Sequence, residues 1–555
     1  MIKIEKNYIL IIFTILFTLM NSCKDLDELN INPNGVDPDV ADLNLLMPTF
    51  ITNVGQNVVN LGFGDIAGVM QHTQKDGWTG SHNSYEWTNN SHSWGGYYGI
   101  LRNVDEFHQK AVKNNYEFHE GVALVMKAYV FGLIADLWGD APLTDALKAD
   151  LGEEYFKPVF DPQKDIYLSI LNDLKDANIF LSKDKAIYEN ISATQDVLYK
   201  GNVAKWRKFA NSLALRYYMR LAAKEPEIAK KGIQDIITQP NDFPLITHFS
   251  DDANIGYIGS SPGDSWPSTM EFEPNPSGDY MRLKMCSTLV KALQKLNDPR
   301  LGVWANKIEI PLVLVEGEKI DRIVDLDDDR KIREISQDIV DHYEENIHTS
   351  IDFDTEYIGI PPSLSGATLY NLNPNEGQGL YNPHCSQLSD IYKESFGPLL
   401  QMRLMSAAEV HFILAEAASY EWIPEDPETH YEAGIQQSFN AWGVGDKFKD
   451  YIEGATYTGL ESIIQQKWIA SWTTAAEAWF DWRRTGLPDL KVGEVPKREA
   501  LPLRFYYHFD NEISKNTANA NAAIDKLEPT EFKGTDSNNS AWSKTWILQG
   551  TGKPY

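Results

Sequence analysis

Apolar positions recur at helical spacing along most of the chain. Asp161-Pro162 opens one such segment, because Asp accepts the orphan N–H groups of a first turn and Pro is pre-set for it. Ile166, Ile170, Leu174 and Leu181 then mark a single apolar face. Val203, Trp206, Ala210, Leu213, Tyr217 and Leu221 repeat the pattern, as do Tyr431, Ile435 and Trp442. Ile464, Trp468, Trp472, Ala475, Trp479 and Trp482 form the longest stripe. Ser406 and Glu409 make a capping box ahead of Val410, Ile413, Leu414 and Ala417. Residues 121–139 read as a strongly apolar helix that Gly139 ends, with Pro142 beyond it. These segments come in neighbouring pairs with short connections. The pattern predicts a mainly α fold, a tetratricopeptide-like scaffold of helical hairpins over about 100–240 and 400–490, although the roughly 34-residue repeat signature is not present. Irregular, partly β stretches interrupt it at about 62–98 and 243–396, the latter with Pro361-Pro362 and Asn373-Pro374-Asn375. Long irregular insertions of this kind are usually functional, so both are expected to be ligand-binding.

Composition narrows the function classes. The 555 residues are 43% hydrophobic and 23% charged, as in an ordinary globular chain. Mean hydropathy is -0.37, and one long apolar run argues against a multi-span membrane protein. The formal charge is -29 with no basic patch, which argues against nucleic acid as a partner.

The amino end reads as an address. Lys3 and Lys6 precede an apolar run from Tyr8 to Met20, shorter than the about 20 residues a spanning helix needs. Asn21-Ser22-Cys23 follows, and it resembles the lipobox of bacterial lipoproteins. Lys24-Asp25-Leu26-Asp27-Glu28 resembles the surface-export signal of Bacteroidetes-type lipoproteins. Residues 1–22 are therefore expected to be a signal peptide, Cys23 to be lipidated, and 23–42, with Pro33, Gly35 and Pro38, to be a flexible tether. The remaining cysteines, Cys286 and Cys385, leave both a disulfide and two buried thiols open.

Candidate chemistry concentrates in residues 78–98, which hold Trp78, Tyr85, Trp87, Trp94, Tyr97 and Tyr98 with Glu86 as the one formal charge. Flat rings beside neutral donors and acceptors suit a carbohydrate, whose C–H face rings can cover and whose hydroxyl edge Asn and His can bond. Trp78, Trp87, Asn89, His92, Trp94 and Tyr97 are the candidate contacts, with Tyr257 and Trp266 as a second wall of a shallow site. The alternative for any one ring is packing against the helical body. Catalytic patterns fail on inspection. In Gly259-Ser260-Ser261-Pro262-Gly263 the residue after Ser261 has no N–H for an oxyanion hole. His119-Glu120 has Ala123 where a second metal-binding His belongs. No catalytic residue, cofactor or metal is expected, and no specific pair of carboxylates suggests a glycosidase.

Residues 477–488, Glu-Ala-Trp-Phe-Asp-Trp-Arg-Arg-Thr-Gly-Leu-Pro, closely resemble the hallmark of SusD/RagB-like outer-membrane lipoproteins. Asn297-Asp298-Pro299-Arg300, Ala415-Glu416-Ala417 and Gln466-Lys467-Trp468 add to the resemblance, which spans most of the chain after Cys23. It implies a tetratricopeptide-like scaffold and a lipid-anchored protein on the outer membrane. It further implies non-catalytic binding of oligo- or polysaccharide, delivered to a SusC-like TonB-dependent transporter as partner. Some members bind peptides or other nutrients, and a surface glycoside hydrolase is the enzymatic alternative. Within the hallmark, Asp481, Arg483 and Arg484 read as structural, with the two arginines near a helix C-terminus that Gly486 and Pro488 stop.

Overall fold

A computed structural model describes residues 42–272, 278–375 and 377–555. The expected signal peptide, Cys23 and nearly all of the expected tether lie outside the described residues. The longer helices, in chain order, are α1 (Met47–Gly62), α2 (Gly95–Asn114), α3 (Glu117–Trp138), α4 (Gln163–Phe180), α5 (Val203–Arg220), α6 (Pro226–Ile237), α7 (Ser287–Lys295), α8 (Gln337–Ile347), α9 (Ala407–Ser419), α10 (Pro427–Ala441), α11 (Leu460–Ala470), α12 (Ala475–Thr485) and α13 (Thr517–Ile524). Short strands are β1 (Thr73–Lys75), β2 (Ala253–Gly256), β3 (Leu283–Met285), β4 (Leu312–Leu314), β5 (Asp321–Asp325), β6 (Lys331–Ile335) and β7 (Gln401–Met405).

The fold is mainly α, with helical hairpins packed in series: α2 on α3, α3 on α4, α4 on α5 and α5 on α6, then α9 on α10 and α11. Asn115 makes the α2–α3 corner in the left-handed region, φ 56°, which Asn tolerates better than most residues. Helix α3 is long and apolar enough to cross a membrane, yet nearly all of it is buried between its neighbours as the central core helix. Gly132 lets α5 approach it, since a Cβ there would sit 1.9 Å from the Tyr217 hydroxyl.

Two expected helix starts take a different form. Asp161 does not cap α4; its carboxylate accepts from the Leu143 and Thr144 N–H groups at 2.7 and 3.0 Å, and Asp140 accepts from Gln163 N at 2.8 Å instead. Ser406 does accept from Glu409 N at 3.2 Å, but the Glu409 carboxylate turns to Arg216 rather than back to the cap. The longest stripe is also two helices. The chain breaks between α11 and α12 where Thr473 adopts φ 70°, and Gly486, φ 77°, ends α12.

The hallmark segment lies in a buried charge network. Arg484 grips both carboxylate oxygens of Glu416, one at 2.8 Å, and reaches Asp481 at 2.9 Å. Lys467 meets Asp481 at 2.7 Å. Arg220 bridges Asp136 at 3.2 Å and Glu477 at 2.5 Å, while Arg216 bridges Glu409 at 2.6 Å and Glu477 at 3.4 Å. Arg483 donates to the carbonyls of Asp136 and Leu503, both at 2.7 Å. Arg300 and Asp298 form a second buried pair, 2.6 Å apart. These contacts stitch α3, α5, α9, α11 and α12 together.

Burial works to raise the Asp481 and Glu477 carboxyls, but Lys467, Arg484 and Arg220 around the first, and Arg216 and Arg220 around the second, hold both below the usual range. A carboxylate depressed in the native state adds stability that is complete above its unfolded pKa and drains away as pH falls toward the native one. Asp136, raised by burial against Arg220 and Arg483, works in the opposite sense. Urea midpoints are expected to fall steeply below about pH 4, where unfolded carboxylates begin to take up protons. Asp481→Asn should flatten that limb, and an unchanged slope would count against the network as its source.

Strands β1 and β3 pair antiparallel, Thr73 opposite Met285 and Lys75 opposite Leu283, tying the aromatic segment to the central insertion. Strands β2 and β7 pair likewise, and β4, β6 and β5 form a three-stranded sheet. That sheet and α8 carry a separate small core including Ile335, Tyr343, Ile360 and Tyr370. Cys286 and Cys385 are both free and buried.

Candidate functional site

Trp78 follows β1 in the left-handed region, φ 54° and ψ 49°, and its indole is 64% exposed. The Arg282 guanidinium carbon stands 3.8 Å from the ring centroid, so one face is held by a cation while much of the ring stays open to solvent. Arg282 sits just before β3, and β1–β3 pairing is what delivers it there: Asp76 N donates to the Arg282 carbonyl at 3.0 Å. Its guanidinium also faces Asp279 at 3.5 Å.

A loop from the far side of the insertion closes on the same place. Gly379 N donates to the buried Asp76 carboxylate at 3.2 Å, and Lys284 approaches that carboxylate at 3.4 Å. Burial raises the Asp76 carboxyl, opposed by Lys284, Gly379 and Arg282. Gly77 has no side chain because Gln378 packs on it, within 2.7 Å of where a Cβ would be. The loop then presents Leu380 and Tyr381, each 38% exposed.

Beside Asp279 lies a cleft of about 130 Å³, with Phe63 and Leu283 among its apolar lining and Asn60, Lys75, Ser268 and Asp279 as polar groups. An exposed ring next to a small apolar cleft with hydrogen-bonding edges is a surface that can hold one sugar face and read its hydroxyls. A larger groove of about 810 Å³ runs between α2 and residues 146–151. Its lining offers Arg102, Asp105, Glu106 and Lys148 rather than a flat exposed ring.

The other rings expected at a ligand are spent on packing, and this corrects the sequence reading. Trp87 is fully buried; its Nε1 donates to Ser81 O at 2.9 Å and its ring lies edge-on to Phe505 and Trp479 at 5.2 and 5.7 Å. Trp94 is buried against Phe160, Tyr507 and Trp138. Tyr97 is buried against the same Trp138 at 5.5 Å. Tyr257 and Trp266 are buried edge to face, 5.7 Å apart. Rings this large stabilise most when they leave water entirely, and aromatic partners distant in sequence let them do so. Trp266 keeps an indirect place, because it packs at 5.1 Å on Phe63 and so supports the lining of the cleft. His92 is half-buried, stacked on Phe505 at 3.8 Å with its Nε2 3.6 Å from Asp65. Asn89 is exposed, and its carbonyl accepts from Phe509 N at 2.7 Å.

Arg282, Asp279, Gln378, Leu380, Tyr381 and Phe63 were not anticipated. Nothing local marks Arg282, Asp279 and Gln378, since β1–β3 pairing and the Asp76–Gly379 bond are what bring their segments beside residues 76–78. The Gly259–Gly263 stretch is a turn, with Asp264 accepting from Ser260 Oγ at 2.6 Å and Ser261 N at 2.7 Å. His119 is buried, its ring 3.0 Å from Asn44. Among the described residues no group of three or more His, Cys, Asp and Glu gathers to hold a metal.

Comparison with curated protein sequences found no match. Solved structures do match. A chitin-binding protein aligns with a TM-score of 0.69 at 20% identity over 92% of this chain and 100% of that one. A SusD homologue from Bacteroides uniformis ATCC 8492 aligns with a TM-score of 0.67 at 20% identity, over 92% and 100% of the two chains. One from Bacteroides fragilis NCTC 9343 aligns at 0.65 and 22% identity, over 90% and 98%. At such identities the likeness establishes the fold. A family model, described as starch-binding associating with outer membrane, matches residues 38–508. The chain therefore belongs to the SusD-like family, whose members are described as starch-binding and associating with the outer membrane.

Proposed function

We propose that this protein is a non-catalytic receptor for oligo- or polysaccharide that grips its ligand at Trp78 and the adjoining cleft. The observation that carries this reading is an indole 64% exposed, fixed by Arg282 3.8 Å from its centroid. Among the described tryptophans it is the one left mostly exposed, which offers a flat apolar face to a ligand. The chitin-binding neighbour supports a carbohydrate as the class of ligand. In this reading Cys23 carries the lipid that fastens the chain to the outer membrane, facing outward. The bound saccharide passes to a SusC-like TonB-dependent transporter.

The test is a glycan array probed with the tag-free chain beginning at Lys24, followed by affinity electrophoresis in the polysaccharides that score. Retention in at least one, with no new reducing ends on incubation, is the expected result. New reducing ends would mean a glycoside hydrolase. Retention by peptides and by no glycan would move the ligand to another nutrient class.

A further inference from the structure

Helices α9 and α10 pack as a hairpin that sets His411 against His430. Their Nδ1 atoms are 3.2 Å apart, with ring centroids at 5.5 Å and planes inclined by 33°. The Nε2 of His411 lies 3.1 Å from the carbonyl of Thr247. A carbonyl only accepts, so Nε2 must carry the hydrogen, and in the neutral ring Nδ1 is left as a lone pair. That lone pair is directed at the Nδ1 of His430. Burial holds both rings below the usual imidazole range, and each is further affected by a neighbour: His411 is lowered by His430, and His430 is raised by Asp426.

Two ring nitrogens bound to one tetrahedral ion at about 2.0–2.1 Å would be about 3.3–3.4 Å apart. The observed separation is near that spacing, but the centroids and the two nitrogens lie almost in line, so both rings must turn by about 35° before their lone pairs meet at one ion. The Thr247 contact is also the kind of bond that orients a metal-bound imidazole, since the ring donates its other N–H to a fixed carbonyl. Asp426 caps α10 and adds a negative charge near His430. Its Oδ2 accepts from Thr429 N and Oγ1 at 2.9 and 2.8 Å. Both histidines are half-buried, so one side of the pair opens to water.

We propose that His411 and His430 form a two-nitrogen site for a borderline divalent transition-metal ion, Zn²⁺ foremost, with water completing its shell. Imidazole suits Zn²⁺, Cu²⁺ and Ni²⁺, whereas Mg²⁺ and Ca²⁺ prefer oxygen. A bound ion would clamp α9 to α10 and replace the proton that the pair otherwise shares.

The test is isothermal titration of the tag-free mature chain with ZnCl₂, using MgCl₂ as the hard-ion control, with thermal unfolding followed in parallel. One Zn²⁺ is expected to bind and to raise Tm, while Mg²⁺ does neither. His411→Ala and His430→Ala should each weaken Zn²⁺ binding about 10-fold or more. Metal-free circular dichroism melts show whether each variant is folded, and His430→Gln, which keeps a polar side chain, replaces any that is not. Cu²⁺ electron paramagnetic resonance should show two nitrogen ligands, and one in each single variant. No heat with Zn²⁺, or undiminished binding by folded single variants, overturns the site and leaves a simple imidazole–imidazole hydrogen bond.

Discussion

Replacing Arg484 by methionine is expected to destabilise the protein by about 3–5 kcal/mol, the cost of leaving a buried charge without its partner. Arg484 is buried and holds Glu416 and Asp481 at once. In its absence Glu416, itself fully buried, faces no other cation among the ion pairs of the described residues, whereas Asp481 keeps Lys467 at 2.7 Å. The network sets Arg216, Arg220, Lys467, Arg483 and Arg484 against Asp136, Glu409, Glu416, Glu477 and Asp481, so its formal charges balance and any single loss leaves an excess. The double variant Arg484→Met with Glu416→Met should recover a large part of the loss, because a methionine pair is apolar and leaves neither charge stranded. Chemical unfolding of the two single variants and the double measures this coupling. Additive losses would mean that the pair does not act as a unit.

Trp78→Ala is expected to weaken glycan binding by about 2 kcal/mol or more, roughly 30-fold, while changing stability by less than about 0.5 kcal/mol. The ring lies on the surface and buries little of itself in the fold, so its loss removes contact area for a ligand and not for the core. Trp87→Ala should do the reverse. It empties a fully buried space beside Trp479 and Phe505, at a cost of about 3–5 kcal/mol in stability. Arg282→Ala is expected to fall between, with binding weakened because the indole loses the group that orients it. Affinity electrophoresis beside thermal melts separates these cases. A folded Trp78→Ala protein with unchanged retention would remove Trp78 from the site.

Much of the helical scaffold is legible in the sequence. Helical spacing around Val203–Leu221 and Val410–Ala417 survives as α5 and α9, because an amphipathic stripe is a local property whose period needs no knowledge of the partner. Capping was less legible. Asp161 has the right residue type and position, yet the chain before α4 runs back past Ala141 and Leu143, whose neighbourhood claims the carboxylate first. The break at Thr473 inside the longest stripe was hidden for a similar reason, as apolar positions on both sides point into one core and keep the spacing apparently continuous.

The candidate ligand surface divides differently. Aromatic enrichment marked residues 78–98, but enrichment does not distinguish a ring that meets a ligand from one that meets Phe505. Trp87 and Trp94 are covered by Trp479, Phe505, Tyr507 and Trp138, and the covering residues 479–507 lie far along the chain. Local order carries helix period, turn residues and the hallmark that marks the family, since each depends on neighbours within a few positions. Which indole remains in water, and which arginine lies against it, arises only when β1 meets β3 and the carboxyl-terminal rings close over the aromatic segment. Burial is a property of surfaces brought together from distant parts of the chain, and no stretch of residues carries that information alone.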